Sequence, residues 1–188
     1  RASSTSRGLG DVYKRQQSNI EPGLLRDFYL IQLPITGSAS MHADKQTIES
    51  KPGKATVINP SVYTKMTWGD GCEQLMLQLS KRRVHGVLNN CLGRPATQDL
   101  VFSPYMENRN RQHASWWQHV MRFINDCNQP YGFYETPEMI DNALSNIIRG
   151  LLYTLENNYS ARLKLDNRPV LPKSLLRAIE YILSLIHI

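Results

Sequence analysis

The sequence predicts an α+β protein in which a β-sandwich or small barrel is followed by antiparallel helices. In the first half of the chain, apolar and polar residues alternate over short runs that end at turn signals. In the second half, the apolar residues recur at spacings of three and four, which is the helical period. The 188 residues, 41% hydrophobic and 20% charged, suffice for one domain with a substantial core.

Six short strands are predicted in the first half, each bounded by Gly, Pro or Asn. Alternation is clearest in residues 62–68, where Met66 and Trp68 fall on one face and Tyr63 on the other. The predicted strands are residues 28–33, 38–43, 46–49, 55–58, 62–68 and 73–79. Strands of this length and spacing favour a sandwich or small barrel.

Three helices are predicted in the second half. Ser80 is a candidate N-cap for a helix that reaches about Cys91, and residues 114–127 carry an apolar face. Thr136 and Pro137 combine an N-cap with proline at the first helical position. The helix that follows has its apolar stripe at Ile140, Leu144, Ile147, Leu151 and Leu155.

The predicted domain covers residues 17–158. Residues 159–172 are polar and contain two prolines, which indicates a linker. Residues 173–182 then begin a new amphipathic helix. The sequence therefore predicts that a second domain starts there.

Both ends of the chain are predicted to be foreign to this domain. Residues 11–16 (DVYKRQ) and 183–188 (LSLIHI) are translations of one DNA element in opposite orientations. That element, CTG TCT CTT ATA CAC ATC, resembles the transposase adapter used in sequencing libraries. We therefore assign residues 1–16 and 183–188 to adapter-derived tails and expect the chain to be a fragment.

The formal net charge of +6 falls to +3 without these tails, since 18 basic and 15 acidic residues remain. This is no electrostatic footprint for DNA. No apolar run approaches the roughly 20 residues of a membrane span. The three cysteines, Cys72, Cys91 and Cys127, have no metal-type or pairing spacing. A reduced, cytoplasmic location without membrane contact is expected.

The sequence offers little for catalysis, and neither a cofactor nor a metal is expected. His42 is the one histidine between Gly37 and Gly53, too few for a cupin-type metal site. Nucleophile-elbow, phosphate-loop and dinucleotide motifs are absent from the sequence. The basic triplet at residues 81–83 is interpreted as a solvated surface. We therefore predict a protein that is not an enzyme.

A binding function has more support, because small barrels with apolar and aromatic interiors can hold one small ligand. The candidate ligand-binding residues are Tyr29, Ile31, Tyr63, Met66 and Trp68. The alternative for each of them is that it fills the core.

Residues 28–88 contain an ordered set of markers. They are the Tyr29-x-x-Gln32 strand entering Leu33-Pro34-x-x-Gly37, then Pro52-Gly53, Asn59-Pro60, Asp70-Gly71 and Cys72-Glu73-Gln74. In this order and spacing they resemble the N-terminal, AraC-binding-like domain of AraC/XylS-family transcription regulators. Residues 173–182 resemble the first helix of that family's helix-turn-helix DNA-binding domain.

The resemblance implies a cupin-like sensor fold without metal that binds a small organic effector in its barrel. It also implies a homodimer through a helix beside the barrel, either residues 136–157, with the stripe from Ile140 to Leu155, or residues 114–127. DNA and RNA polymerase would be contacted through the missing C-terminal domain. An activator of a catabolic operon is implied, with an aromatic carboxylate as effector and Arg26 as its candidate partner.

Two other interpretations stay open at this point. One is a stand-alone cupin enzyme or small-molecule-binding cupin, which would need a metal site for catalysis. The other is an interaction domain that dimerises and binds no small molecule.

Overall fold

The computed structural model describes residues 11–15, 18–43, 46–130 and 132–166. Within these ranges nine strands form two sheets, and four helices follow in the second half. The strands are β1 (Asp11–Arg15), β2 (Ser18–Leu24), β3 (Phe28–Thr36), β4 (Ala39–Ala43), β5 (Gln46–Ser50), β6 (Lys54–Ile58), β7 (Tyr63–Trp68), β8 (Cys72–Ser80) and β9 (Tyr105–Glu107). The helices are α1 (Lys81–Leu92), α2 (Arg111–Cys127), α3 (Pro137–Thr154) and α4 (Ser160–Asp166).

The two sheets are antiparallel and pack as a sandwich. One sheet has the strand order β1-β8-β3-β6-β9 and the other β2-β7-β4-β5. The longest pairing joins β3 to β8, from Phe28 opposite Ser80 to Thr36 opposite Glu73, with a register shift after Pro34. Proline has no backbone N–H for the ladder, so a bulge beside it lets the strand continue. This α+β architecture, a β-sandwich followed by helices, confirms the predicted fold class.

Strand β3 is covered on both faces of the five-stranded sheet. Successive side chains of a strand point to opposite sides. Tyr29, Ile31 and Leu33 of β3 pack against the helices. The helix-facing core is the buried cluster that they share with α1–α4. Leu30 points the other way and packs against the sandwich interior, the cluster that contains Met66 and Trp68. The fold therefore has two apolar layers.

The predicted helix starts are confirmed. The Ser80 hydroxyl accepts a hydrogen bond from the Arg83 N–H at 3.4 Å, and α1 ends at Gly93 in the left-handed conformation. The Thr136 hydroxyl accepts from the Met139 N–H at 3.3 Å, and Pro137 occupies the first turn of α3. No helix among the described residues is long and apolar enough to cross a membrane.

Four elements were not predicted from the sequence. They are β1, β2, β9 and α4. The strand β1 lies in the segment assigned to an adapter-derived tail, and its Asp11 pairs opposite Met76 of β8. The foreign origin of that segment stays a prediction.

The predicted linker over residues 159–172 is wrong in its first part. α4 occupies residues 160–166, and Tyr159 and Leu163 are 4% and 1% exposed in the helix-facing core. Their spacing of four residues places both on one helical face, which the polar composition around them obscured. Residues 167–172, the predicted helix over 173–182 and the tail over 183–188 lie outside the described residues.

Candidate functional site

A cavity of about 670 Å³ lies at one end of the sandwich. Small-molecule sites commonly have volumes of ~300–1,000 Å³. Strands β4 to β7 supply one part of its lining, namely Met41, Ala43, Ile48, Val57, Ile58 and Thr64. The opposite side is formed by the wall segment, residues 101–104, through Val101, Phe102 and Pro104. Gln46, Asn59 and Val62 complete the lining, and the cavity is therefore large enough for a small ligand.

The polar groups of this lining are neutral, and most are already engaged. The Asn59 side chain donates to the Phe102 carbonyl at 2.9 Å and accepts from the Phe102 N–H at 2.8 Å. The Thr64 hydroxyl donates to the Val62 carbonyl at 3.2 Å, which leaves its lone pairs as acceptors. Among the described lining residues no side chain is charged. The cavity is thus apolar with a few neutral polar groups.

The wall segment also contacts the helical layer. The Ser103 N–H donates to the Glu156 carbonyl at 2.8 Å. The Val101 N–H donates to the Asn158 side chain at 2.9 Å, and the Asn158 N–H donates to the Val101 carbonyl at 3.2 Å. The wall segment is therefore hydrogen-bonded to residues 155–159, which we call the α3–α4 turn.

The α3–α4 turn is itself held tightly by Asn157, which is 9% exposed. Its amide nitrogen donates to the carbonyls of Leu152 and Leu155, at 3.0 and 2.9 Å. Its side-chain oxygen accepts from the Tyr159 N–H at 2.9 Å. Because these bonds fix the turn to the end of α3 and the start of α4, a shift of the wall segment would displace both helices' ends.

Two buried glutamines lie deeper in the sandwich. Gln32 accepts a hydrogen bond from the Thr56 hydroxyl at 3.0 Å and donates to the Met66 sulfur at 2.9 Å. Gln74 donates to the Cys72 sulfur at 3.4 Å, and its side-chain oxygen has no hydrogen-bond partner among the described residues. Both belonged to sequence markers, but alternation alone assigned neither of them a role. They make the sandwich interior more polar than its apolar sequence pattern suggested.

Two of the five predicted ligand-binding residues lie in the helix-facing core and do not line the cavity. Tyr29 and Ile31 are fully buried there. The Tyr29 ring packs edge-on against the lining residue Phe102, with the ring centroids 5.5 Å apart. The Tyr29 hydroxyl donates to the Leu100 carbonyl at 2.9 Å, and burial, reinforced by Asp99, raises the pKa of this phenol. Tyr29 and Ile31 thus fill the core, the alternative stated for them.

The other three residues also do not line the cavity. Met66 and Trp68 are 4% and 2% exposed in the sandwich interior, as their alternation predicted. Tyr63 has the opposite parity on β7 and is 49% exposed. The structure therefore brings Met66 and Trp68 together but places Tyr63 on the outer face.

The predicted dimer stripe on α3 is mostly internal. Ile147, Leu151 and Leu155 are 0%, 0% and 2% exposed because they pack in the helix-facing core of their own chain. Ile140 and Leu144 are half-buried at the edge of the same core. The prediction is wrong for the three buried residues, which no second subunit can reach without unfolding.

The remaining candidates are surface features. The His42 ring contacts the Thr47 hydroxyl at 2.8 Å on the exposed face of β4. Among the described residues, no group of three or more His, Cys, Asp or Glu could hold a metal ion. Within the basic triplet, Lys81 pairs with Asp99 at 2.9 Å and Arg83 with Asp141. The hydrogen bond from Lys81 lowers the pKa of the exposed Asp99 carboxyl.

The sequence profile of the AraC-binding-like domain matches residues 6–153. The chain belongs to the AraC-binding-like domain family. This membership confirms the resemblance found in the sequence markers. It also favours the sensor domain of a transcription regulator over a cupin enzyme.

A solved structure of the regulator ToxT shares the fold of this AraC-binding-like domain. A variant of ToxT from Vibrio cholerae matches with a TM-score of 0.52 and 11% identity, covering 80% of this chain and 56% of ToxT. The AraC-like transcriptional activator CuxR matches with a TM-score of 0.47 and 10% identity, covering 88% and 63%. ToxT with a bound unsaturated fatty acid matches with a TM-score of 0.45 and 14% identity, covering 81% and 55%. The chain thus spans little more than half of the ToxT structures, and a search of curated protein sequences finds no match.

Proposed function

We propose that this AraC-binding-like domain is the effector-sensing part of an AraC/XylS-type DNA-binding transcription regulator. The observation that carries the proposal is the shared wall segment. Val101, Phe102 and Pro104 of this segment line the cavity. The backbone of Val101 and Ser103 is hydrogen-bonded to the α3–α4 turn. A ligand in the cavity would therefore contact a segment that is directly connected to the helical layer.

Sensing requires that the effector bind two arrangements of the protein unequally. A ligand that presses on Phe102 or Val101 favours one position of the wall segment. Since Ser103 and Asn158 join that segment to the α3–α4 turn, the favoured position extends to α4. In the family, the DNA-binding domain follows this part of the chain. DNA and RNA polymerase would be contacted there.

The first test is whether the cavity binds small molecules. We expect at least one compound from a panel of sugars, aromatic acids and neutral aromatics to raise the melting temperature of the domain, since binding to the native state stabilises it. The gain should disappear in Ala43→Phe, which fills the cavity. His42→Phe is the matched control, because His42, next to Ala43 on β4, is exposed on the outer face and does not line the cavity.

Hydrogen exchange with a bound compound then tests the connection. We expect slower exchange both at the Phe102 and Ser103 amides and at the Asn158 and Tyr159 amides. Protection confined to the cavity lining would contradict sensing by this route. A stabilising compound that acts equally on the wild type and Ala43→Phe would contradict the cavity as the effector site.

The family resemblance further supports a cytoplasmic activator of a catabolic operon. Its suggested effector, an aromatic carboxylate, has a weaker basis in the geometry. Arg26, the candidate partner of the carboxylate, is exposed and is not part of the cavity lining.

A homodimer stays part of the proposal, but fewer residues of the predicted α3 stripe are available for it. Ile140 and Leu144 are the members of the predicted stripe that remain accessible. We expect Leu144→Gln to raise the dimer dissociation constant by about tenfold, which corresponds to ~1.4 kcal/mol. Sedimentation at several protein concentrations measures it.

Asn142→Gln, at an exposed position on the same helix, is the control and should leave the dimer unchanged. A dissociation constant that is the same in Leu144→Gln and wild type would exclude this surface. A wild-type chain that is monomeric at all concentrations would contradict the homodimer itself.

A further inference from the structure

We propose that the effector held by this cavity is an uncharged, mainly apolar molecule. The inference rests on the proposed function of the cavity as the effector site. It differs from the aromatic carboxylate that the family resemblance implies.

The lining covers part of a ligand with mainly apolar surface and offers no charge to replace the solvation that an ionised group loses there. Most of the surface is formed by aliphatic and aromatic side chains, including Met41, Ile48, Ile58 and Phe102. An ionised group that enters an apolar site without a partner loses several kcal/mol, whereas apolar groups gain from the same transfer. The lining therefore selects for apolar surface and against a carboxylate.

The hydrogen-bonding groups of the lining are neutral and suit a neutral polar group on the ligand. Both polar atoms of the Asn59 side chain are bound to the Phe102 backbone. Thr64 uses its hydroxyl hydrogen on the Val62 carbonyl, so it presents lone pairs to the cavity. An N–H or O–H of the ligand would find an acceptor in these lone pairs, and the amide of the exposed lining residue Gln46 both donates and accepts. None of these groups carries the positive charge that would compensate a carboxylate.

Neither Lys65 nor Arg26 belongs to the cavity lining. Lys65, beside Thr64 on β7, lies on the outer face and pairs with Glu21 at 3.0 Å. That pairing raises the pKa of the Lys65 ammonium. Arg26 is exposed outside the lining. Lys45 lies outside the described residues, so its contribution has to be measured with a variant.

Two fluorescent probes with one aromatic skeleton separate charge from shape. N-phenyl-1-naphthylamine is neutral and carries an N–H donor, and 8-anilinonaphthalene-1-sulfonate adds a sulfonate to it. We expect the neutral probe to bind the domain at least about tenfold more tightly than the sulfonate. Ala43→Phe should abolish this binding, and His42→Phe should retain it.

A variant that adds a positive charge to the lining tests the same inference. Val101 is a lining residue that is 50% exposed, so an arginine there can reach both the cavity and solvent. We expect Val101→Arg to raise the affinity for the sulfonate by about tenfold and to change that for the neutral probe by less than about threefold.

The outcomes distinguish the inference from the proposed function. Sulfonate binding that equals or exceeds neutral binding, and that Ala43→Phe abolishes, overturns the inference and supports an effector cavity. If Lys45→Ala then removes the sulfonate binding, Lys45 is the cation that makes the cavity selective for acids. Probe binding that Ala43→Phe leaves unchanged, or no binding of either probe, contradicts both the inference and the proposed cavity.

Discussion

Replacing Gly37 by alanine is expected to lower the free energy of unfolding by about 2–5 kcal/mol. Gly37 has φ +69°, where an L side chain costs ~1–2 kcal/mol. A Cβ at this position would lie 2.8 Å from Cys72 Cα and 3.0 Å from the Cys72 nitrogen. These are backbone atoms at the start of β8, which cannot move aside as a flexible side chain could, so overpacking adds ~1–3 kcal/mol. Urea denaturation measures the loss.

The controls for Gly37→Ala are two other glycines with positive φ. Gly23 and Gly71 have φ +69° and +64°, and a Cβ at either would meet nothing within 4 Å. Gly23→Ala and Gly71→Ala should therefore lose only the conformational part, ~1–2 kcal/mol. Equal losses at all three positions would mean that the close approach of Gly37 to β8 contributes nothing.

The sequence predicted the sandwich well because most of its strands alternate. On β7, alternation assigned Met66 and Trp68 to the interior, and the structure confirms it. β3 gave no such information, since its central residues, from Ile31 to Pro34, are all buried. A strand covered on both faces has no polar side to mark its orientation. Tyr29 and Ile31 were therefore placed beside a ligand when they face the helices.

The apolar stripe of α3 was ambiguous for a related reason. Spacings of three and four show that a helix buries one face, but they do not identify the surface that covers it. On α3, the covering surface is the chain's own core, which takes up Ile147 and Leu151 completely. A subunit interface would have produced the same sequence pattern.

The cavity could not be predicted because its two sides are distant in sequence. Met41 and Thr64 come from the sandwich, while the wall segment follows α1 by several residues. The wall segment has no helical or strand period that the sequence could reveal. Its position depends on hydrogen bonds from Asn59 and Asn158, and such long-range pairings are invisible to local patterns.

The lining is neutral, and the wall segment is hydrogen-bonded to both Asn59 and Asn158. A ligand without charge gains most of its affinity from apolar contact, which varies with the position of Phe102 and Val101. The same residues carry the hydrogen bonds to Asn59 and Asn158. Binding and transmission would therefore use one segment, and its attachment on the two sides can be tested separately.

Asn59→Ala is expected to lower the free energy of unfolding by about 2–6 kcal/mol and to weaken binding of the neutral probe. Asn59 is 8% exposed, and its side chain satisfies both the N–H and the carbonyl of Phe102. Alanine leaves these two backbone groups buried without partners, at ~1–3 kcal/mol each. The wall segment then keeps its bond from the Val57 N–H to the Pro104 carbonyl but loses its attachment at Phe102, so the cavity wall is less well defined. Urea denaturation and probe titration measure the two effects.

Asn158→Ala is the matched control, since Asn158 also bonds this region twice, accepting from the Val101 N–H and donating to the Asp99 carbonyl. Asn158 is exposed, so water can replace both bonds and the loss should stay below ~1 kcal/mol. Probe affinity should remain near that of the wild type, while the ligand-induced protection at Tyr159 should diminish. If Asn158→Ala destabilised the domain as much as Asn59→Ala, the wall segment would depend equally on both attachments, and its assignment as a wall anchored on the sandwich would be wrong.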